Sequence, residues 1–174
     1  MEITEKIKAR MEFTDGNVIN LELYPQVAPI TVANFVALCK AHFYDGLCFH
    51  RVIDGFMIQG GGFVFDDRKG LIQKQANTIK GEFKSNGVNN PLRHEKGVIS
   101  MARTMVKDSA SSQFFICVAN TPHLDGEYAA FGRCADDESI KTAVKYGKAK
   151  TGNWQMFADV PFTPIVIKTI EISE

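Results

Sequence analysis

Residues 49–61, FHRVIDGFMIQGG, contain two short apolar segments that meet at Asp54-Gly55. An Asp-Gly pair between apolar segments is a strong signal for a tight hairpin turn. The stretch therefore predicts two antiparallel strands, over residues 47–53 and 56–60. Because successive side chains of a strand point to opposite faces, every second residue of each strand lies on the same side.

The polar residues within this hairpin are candidates for a binding pocket. Arg51 lies in mid-strand with Ile53 on its side, and Met57 and Gln59 share a face of the next strand. Pockets for small molecules and peptides are built in this way, from apolar walls with a few hydrogen-bond donors at the edge. Each residue alone also fits an ordinary role, since strand arginines are usually solvated and strand Phe and Met residues usually belong to the core.

Two later segments repeat this combination of polar and apolar residues. The first is SMART at residues 100–104, and the second is SSQFFI at residues 111–116. Gln113 and Phe115 share one face if the second segment is a strand. An arginine and two glutamines flanked by Phe and Met residues would make an apolar pocket with a few hydrogen-bond donors at its edge, and the ordinary interpretation of each residue stays open at this point.

Period-two alternation predicts the remaining strands. Residues 6–13 alternate between apolar and charged side chains, and residues 19–23 alternate again after Asp15-Gly16, so the two segments form an antiparallel hairpin. In the last predicted strand the apolar phase shifts between Ile167 and Ile170, which indicates a β-bulge or burial on both faces. The further strands are predicted over residues 98–102, 113–119, 128–134 and 164–172.

Two segments have helical character instead. Apolar residues at helical spacing predict an amphipathic helix over residues 29–41, with Pro29 in the first turn, where its missing N–H costs nothing. Acidic residues at 136–138 open a shorter helix, for which Gly147 is the expected C-cap. About eight strands in runs, with two helices, favour an antiparallel barrel or sandwich over a doubly wound parallel sheet.

The chain is expected to form a single domain over residues 1–174, because no repeat, low-complexity tract or Pro/Ser-rich linker divides it. A chain of this size buries about 70% of its unfolded surface, so its core needs no disulfide or metal. The stretch 61–97, rich in Gly, Asn and Lys, is predicted as a long loop, and long loops in compact domains are usually functional.

Composition and charge argue against several classes of function. Lys and Arg total 20 and Asp and Glu total 20, so no net charge attracts nucleic acid. The sequence contains no run of 18 apolar residues, which is the length needed to span a membrane. Charged residues near the start stand where a signal peptide has its apolar stretch, which predicts a cytoplasmic protein. Four cysteines are expected to be small buried hydrophobic residues: Cys39, Cys48, Cys117 and Cys134.

No sequence motif for metal, nucleotide or nucleophilic chemistry is present. The four histidines are not spaced as metal ligands, and the cysteines form no C-x-x-C pair. The Gly60-Gly61-Gly62 run lacks the G-K-[ST] ending of a phosphate-binding loop, and no G-x-S-x-G elbow occurs. No metal or other cofactor is therefore expected.

The combined motifs resemble the signature of the cyclophilins, which are peptidyl-prolyl cis–trans isomerases. FHRVIDGFMIQGG is followed by VISMART at residues 98–104, SSQFFI at 111–116 and LDGEYAAFG at 124–132, in the family's order and at about its spacing. The resemblance runs from about residue 8 to the end of the chain. Residues 86–93 and the SMART-x-x-x-x-SASSQFF pattern are most similar to the short bacterial-type members.

The resemblance implies an all-β fold with two helices: a closed eight-stranded antiparallel β-barrel capped by two α-helices, with the substrate groove on its outer surface. It implies isomerisation of X-Pro peptide bonds, with X-Pro-containing peptides and unfolded proteins as partners and protein folding as the process assisted. A monomer is expected, with no nucleic-acid or membrane partner.

Two other functions are compatible with such a fold. The main alternative is a non-catalytic module that holds proline peptides, and Arg51 argues against it because inactive members often lose the arginine. The second is an enzyme of different chemistry on a similar barrel, for which the sequence offers no ligand set.

The resemblance assigns a role to each motif residue. Arg51 matches the family's catalytic arginine, and Gln59 matches the glutamine that braces it. Gln113 and the backbone around Ala102 and Arg103 match the groove that binds the peptide chain. The pocket for the proline ring is matched by Phe56, Met57, Phe115 and Leu124.

Two positions of the substrate site depart from the best-known family pattern. His123 stands where many members have Trp, and Tyr128 stands where many have His. The tryptophan is a cyclosporin contact, so we expect cyclosporin to bind this chain more weakly. Tyr128 can still pack its ring and donate from its hydroxyl, so we expect activity to survive.

Overall fold

The computed structural model describes residues 2–173. This part of the chain contains twelve β-strands, two α-helices and two short 3-10 helices, Lys84–Asn86 and Pro122–Leu124. In chain order the strands and α-helices are β1 (Ile7–Phe13), β2 (Val18–Leu23), α1 (Pro29–Lys40), β3 (Arg51–Ile53), β4 (Met57–Gly60), β5 (Phe63–Asp66), β6 (Gly70–Gln73), β7 (Val98–Met101), β8 (Phe114–Cys117), β9 (Ala130–Cys134), α2 (Asp137–Gly147), β10 (Thr151–Trp154), β11 (Phe157–Pro161) and β12 (Ile167–Ser173).

Eight of these strands form one curled antiparallel sheet in the order β12-β1-β2-β9-β7-β8-β4-β3. Helix α1 packs near β12, and α2 packs against β2. The predicted class, mostly β with two helices and eight strands in the main sheet, is confirmed. Neither helix within residues 2–173 has the length and apolar character needed to cross a membrane.

The expected closure of the barrel is wrong, because the sheet is an open half-barrel with β3 and β12 at its edges. An isolated bridge between Cys48 and Val166, together with a 2.9 Å backbone bond from Phe49 N–H to the Ile165 carbonyl, joins the two edges without forming a ladder. Pro164 lies just before β12 and has no N–H to donate to a ladder.

The core lies on the inner face of the curled sheet. The register pairs Val52 with Ile58, Ile58 with Ile116, and Ile116 with Ile99, so these four side chains form one row across β3, β4, β8 and β7. All four are 1% exposed or less and belong to the main apolar cluster. Since side chains alternate along a strand, the residues on either side of this row point to the outer face.

The last strand, β12, contains the predicted bulge. Glu12 pairs with Thr169 and Phe13 pairs with Ile167, so the β1–β12 register skips Lys168. Ile167 and Ile170 are both buried because the skipped residue restores the inward phase.

Two small hairpins lie outside the main sheet, and the sequence pattern predicted neither. β5 pairs with β6 within the stretch expected to be a loop, and β10 pairs with β11. They pack on each other through a second cluster that contains Phe63, Leu71 and Val160. Phe63, Val64 and Phe65 are three consecutive apolar residues, so the period-two signal of a strand is missing.

The two helices begin in different ways. Asp136 caps α2 locally, since its carboxylate accepts a 2.7 Å bond from the Ser139 N–H, and Gly147 is the last helical residue with Lys148 as the C-cap. The N-cap of α1 is Ala28, which has no side chain able to cap. The buried carboxylate of Glu82 supplies this function from a distance of 51 residues in sequence, because it accepts bonds from the N–H (2.6 Å) and the hydroxyl (2.7 Å) of Thr31.

We expect Glu82→Ala to lower the free energy of unfolding by about 2 kcal/mol, because the substitution leaves buried donors at the start of α1 without an acceptor. Glu82→Gln keeps an oxygen acceptor and should lose clearly less. Urea denaturation of the three proteins measures both effects. Equal stability of the wild type and the alanine variant would contradict the capping role.

Candidate functional site

The outer face of the sheet carries a second row of side chains beside the core row. Arg51 pairs with Gln59, Gln59 with Phe115, and Phe115 with Ser100, on the same four strands as the core row. Alternation along each strand makes this row point away from the core. The hairpin of residues 49–61 thus supplies buried residues to one face and exposed functional groups to the other.

A cavity of about 190 Å³ opens on this outer face. Nine of the eleven predicted site residues line this cavity, and the other two, Gln113 and His123, do not. The lining residues are Arg51, Phe56, Met57, Gln59, Ala102, Arg103, Phe115, Leu124 and Tyr128.

The floor of the cavity is apolar and rigidly supported. Met57, Phe115 and Leu124 are buried and pack together with Cys117 in a third apolar cluster. Phe56 is partly buried at the edge of this cluster. A non-polar ring of about the size of a proline side chain could therefore lose its water shell here.

A chain of hydrogen bonds forms the polar edge of the cavity. One guanidinium nitrogen of Arg51 lies 3.5 Å from Oε1 of Gln59, and Nε2 of Gln59 donates to Oε1 of Gln113 at 3.0 Å. An arginine has five N–H donors, so the bond to Gln59 orients the guanidinium and uses one of them. Gln113 therefore acts one step away from the cavity and lines the neighbouring depression with Gln73.

The glycine run at residues 60–62, beside this edge, avoids steric clashes with neighbouring side chains. At Gly62, an added Cβ would collide with the side chain of Gln113. At Gly61, whose φ is +88°, an added Cβ would lie 2.8 Å from the ring of Phe114. The run makes room for the hydrogen-bonded glutamines and for the core.

His123 and Tyr128, the two unusual residues, occupy different places. His123 is exposed on the rim and stacks on Phe56, with ring centroids 5.7 Å apart. Tyr128 belongs to the wall and meets the ring of Phe115 edge-on at 5.8 Å. The histidine extends the pocket through its contact with Phe56.

The side chain of Arg103 contributes to the site as well as its backbone. Its guanidinium lies 4.6 Å from the ring centre of Phe83 and 4.7 Å from that of Tyr128, so it is held by two aromatic rings. Its Nε also donates to the Glu127 carbonyl at 3.2 Å. Arg103 therefore fixes the Tyr128 side of the cavity.

His94 packs behind Phe115, a residue that lines the cavity, and the sequence pattern did not single it out. Its buried ring stacks on Phe115 at 5.9 Å. Nδ1 lies 3.1 Å from a carboxylate oxygen of Asp125 and therefore carries the proton, so Nε2 accepts from the Ser100 hydroxyl at 2.8 Å. Burial lowers the pKa of His94, although Asp125 acts in the opposite direction. Asp125 is 31 residues away in sequence, so no local pattern reveals this bond.

His50 is a second buried histidine, next to Arg51. Its Nδ1 has no hydrogen-bond partner among residues 2–173, and its ring lies 4.5 Å from that of Phe63. Burial, with a smaller effect from the charge of Arg51, lowers the pKa of His50 to about 4. Within residues 2–173 no three His, Cys, Asp or Glu side chains come together in a group that could hold a metal ion.

Comparisons with known proteins agree with this geometry. Residues 8–172 match the model of the family described as cyclophilin type peptidyl-prolyl cis-trans isomerase/CLD. The chain is 44% identical over 165 residues to peptidyl-prolyl cis-trans isomerase A of Dickeya dadantii (strain 3937), covering 91% of this chain and 81% of that protein. It is 38% identical over 170 residues to peptidyl-prolyl cis-trans isomerase B of Escherichia coli (strain K12), covering 92% and 97%.

Solved structures show the same fold. A crystal structure of a cyclophilin type peptidyl-prolyl cis-trans isomerase from Cryptosporidium parvum has a TM-score of 0.74 and 28% identity, with 98% of this chain and 99% of that chain covered. A second crystal structure of that protein, in the presence of the dipeptide Ala-Pro, has a TM-score of 0.72 and covers 96% of this chain and 99% of that one.

The eight-stranded sheet is curled and antiparallel, and Arg51 lies at the edge of the apolar cavity on its outer face. The chain belongs to the cyclophilin-type peptidyl-prolyl cis-trans isomerases. The family that the motifs predicted is thereby confirmed.

We expect acid to destabilise the fold through its buried histidines. An unfolded histidine has a pKa of about 6.5, whereas His50 in the folded chain has a pKa of about 4. The unfolded state therefore binds more protons between these values, and the free energy of unfolding should fall by up to about 1.4 kcal/mol per pH unit for this group as the pH drops from 6.5 towards 4.

The slope of unfolding free energy against pH, from urea denaturation between pH 7 and 5, tests this effect. His50→Phe should flatten the slope relative to the wild type, because the group with the lowered pKa is removed. An unchanged slope in His50→Phe would show that other groups cause the acid sensitivity.

Proposed function

We propose that Arg51 is the catalytic residue for X-Pro isomerisation in this chain, and that the proline ring occupies the cavity beside it. The observation that carries this assignment is the position of Arg51 at the open edge of the apolar cavity, held by Gln59. Phe56, Met57, Phe115 and Leu124 form the pocket for the ring.

The reaction needs no nucleophile, metal or general base. The partial double bond of an X-Pro peptide imposes a barrier of about 18–20 kcal/mol, and uncatalysed exchange takes tens to hundreds of seconds. No bond breaks during rotation. A catalyst has to weaken the resonance of the imide and hold the two ends of the substrate in a suitable geometry.

Arg51 suits this task because its guanidinium is planar, always charged and rich in donors. A donated hydrogen bond to the imide nitrogen stabilises that atom as it becomes pyramidal and loses conjugation. The apolar floor of Met57, Phe115 and Leu124 excludes water, which strengthens the interaction of the charged donor with the substrate. A thousandfold acceleration requires about 4 kcal/mol, which one preorganised charged donor with fixed geometry can supply.

The other predicted residues bind and orient the peptide in this proposal. Gln59 fixes the direction of the Arg51 guanidinium, and Gln113 in turn holds Gln59. The backbone at Ala102 and Arg103 offers hydrogen bonds to the substrate chain beside the cavity. His123, Tyr128 and the Arg103 side chain complete the rim.

A non-catalytic module that only holds proline peptides is the alternative, and the presence and placement of Arg51 favour the enzyme. The Cryptosporidium parvum structure was solved in the presence of Ala-Pro, which supports a proline-containing peptide as the ligand of this cavity too. Unfolded proteins with slow X-Pro bonds fit such a site, so assistance to protein folding is included in the proposal.

The proposal extends to the setting in which the protein works. It acts in the cytoplasm as a monomer with a single domain over residues 1–174, with no nucleic-acid or membrane partner. The four cysteines are buried and free, as suits a reducing compartment. Burial raises the pKa of the Cys48 thiol to about 11, which keeps it protonated and unreactive at neutral pH.

Arg51→Ala is expected to keep the fold and lower kcat/KM for an X-Pro peptide about a hundredfold, because it removes the charged donor. Arg51→Lys should recover part of the activity, since it restores the charge without the planar group. Gln59→Ala should cost less than Arg51→Ala. Exchange NMR on the peptide and a thermal unfolding curve for each variant measure activity and folding separately. Full activity of Arg51→Ala would remove Arg51 from the mechanism.

We expect cyclosporin to inhibit this chain weakly, because the exposed His123 ring lacks the area and the indole N–H of tryptophan. His123→Trp should tighten inhibition, measured as the cyclosporin concentration that halves the isomerase rate. Strong inhibition of the wild type with no gain from His123→Trp would contradict this expectation.

A further inference from the structure

The loop of residues 104–109 presents apolar side chains to solvent next to the cavity. Met105 is 97% exposed and Val106 is 65% exposed. Exposed apolar side chains that lie together beside a binding site mark a surface for interaction. A ligand bound in the cavity could therefore extend over the side chains of Met105 and Val106.

The loop is held in one conformation by its own hydrogen bonds. The N–H and the hydroxyl of Thr104 both donate to Oγ of Ser109, at 2.9 Å and 2.8 Å. The Ser109 hydroxyl in turn donates to the Val106 carbonyl at 2.6 Å. A preorganised loop loses little conformational freedom when a ligand covers it.

The same loop is also fastened to the neighbouring segment of the chain. The Lys107 ammonium donates to the Ser85 carbonyl at 2.6 Å. A carboxylate oxygen of Asp108 accepts from the Gly81 N–H at 3.0 Å and from the Asn86 side chain at 2.8 Å. These bonds keep Met105 beside the site.

Met105 lines a second, open cavity of about 420 Å³ that adjoins the first. Arg103 and Tyr128 line both cavities, so these two stacked side chains form the ridge between them. A peptide whose proline ring occupies the first cavity can therefore pass a neighbouring residue over this ridge into the second.

The charged groups of the second cavity already have partners in the protein. Lys107 is bound to Ser85, and the Glu127 carboxylate accepts from the Ser85 hydroxyl at 3.0 Å. Arg103 donates to the carbonyls of Glu127 and Thr104. A charged ligand would have to compete with these bonds, whereas an apolar one would cover the flexible thioether side chain of Met105.

We propose that this second cavity is a subsite for a bulky apolar side chain of the substrate, close in sequence to the X-Pro bond. The subsite rests on the proposed function, because its occupant is attached to the proline in the first cavity. It makes unfolded segments with Leu, Met or Phe near proline the preferred substrates over polar surface loops.

A peptide series tests the subsite. The reference peptide has alanine around an Ala-Pro pair, and in each of four others one leucine replaces alanine at one of the two positions before or the two positions after that pair. NMR titration gives Kd for each peptide, and exchange NMR gives the isomerisation rate. We expect one leucine position to tighten Kd about fivefold over the reference.

In Met105→Ser, the Kd of the reference peptide divided by the Kd of the best leucine peptide should fall to about one, because the apolar side chain that would contact the leucine is lost. Met156→Ser is the matched control, because Met156 is 90% exposed and does not line either cavity, and it should keep the wild-type ratio. No preferred leucine position in the wild type, or an unchanged ratio in Met105→Ser, would overturn the subsite. Absence of exchange with every peptide would overturn the proposed function instead, and the Kd ratios would still decide the subsite.

Discussion

The antiparallel register of β3, β4, β8 and β7 is the constraint on which the rest of the structure depends. It places Val52, Ile58 and Ile116 in one row in the core, and Arg51 and Gln59 in the next row on the outer face. A slip of one residue would exchange the two faces, exposing the core row and burying a charged guanidinium. Stability of the fold and geometry of the site are therefore set by the same hydrogen-bond ladder.

A catalyst for bond rotation depends on rigid geometry more than on reactive groups, and the site is supported accordingly. Phe115, at its centre, rests on the ring of His94, which is oriented at both nitrogens by Asp125 and Ser100. Arg103 is held between the rings of Phe83 and Tyr128. These supports lie outside the cavity, so substitutions there are expected to act through the position of the lining residues.

The parts of the fold that the sequence predicted are those encoded by local periodicity. The hairpin of residues 49–61, helix α1 and the bulge in β12 each follow from side-chain spacing within one segment. The prediction of a closed barrel was wrong, because whether the two edge strands of the sheet meet does not depend on the side-chain spacing within any one segment. The hairpins β5–β6 and β10–β11 were missed, since their strands pack on each other and lack a clean alternation.

By itself, the sequence determined the chemistry available to this protein: the arginine at position 51, the glutamines at 59 and 113, and a set of Phe, Met and Leu residues in recognisable motifs. Only the tertiary structure decided how they are supported and extended, with Glu82 capping α1, His94 behind Phe115 and Met105 beside the cavity. The physical reason is that alternation acts between neighbours in one strand. Contacts such as His94 with Asp125, 31 residues apart, and Thr31 with Glu82, 51 residues apart, exist only after the whole chain has folded.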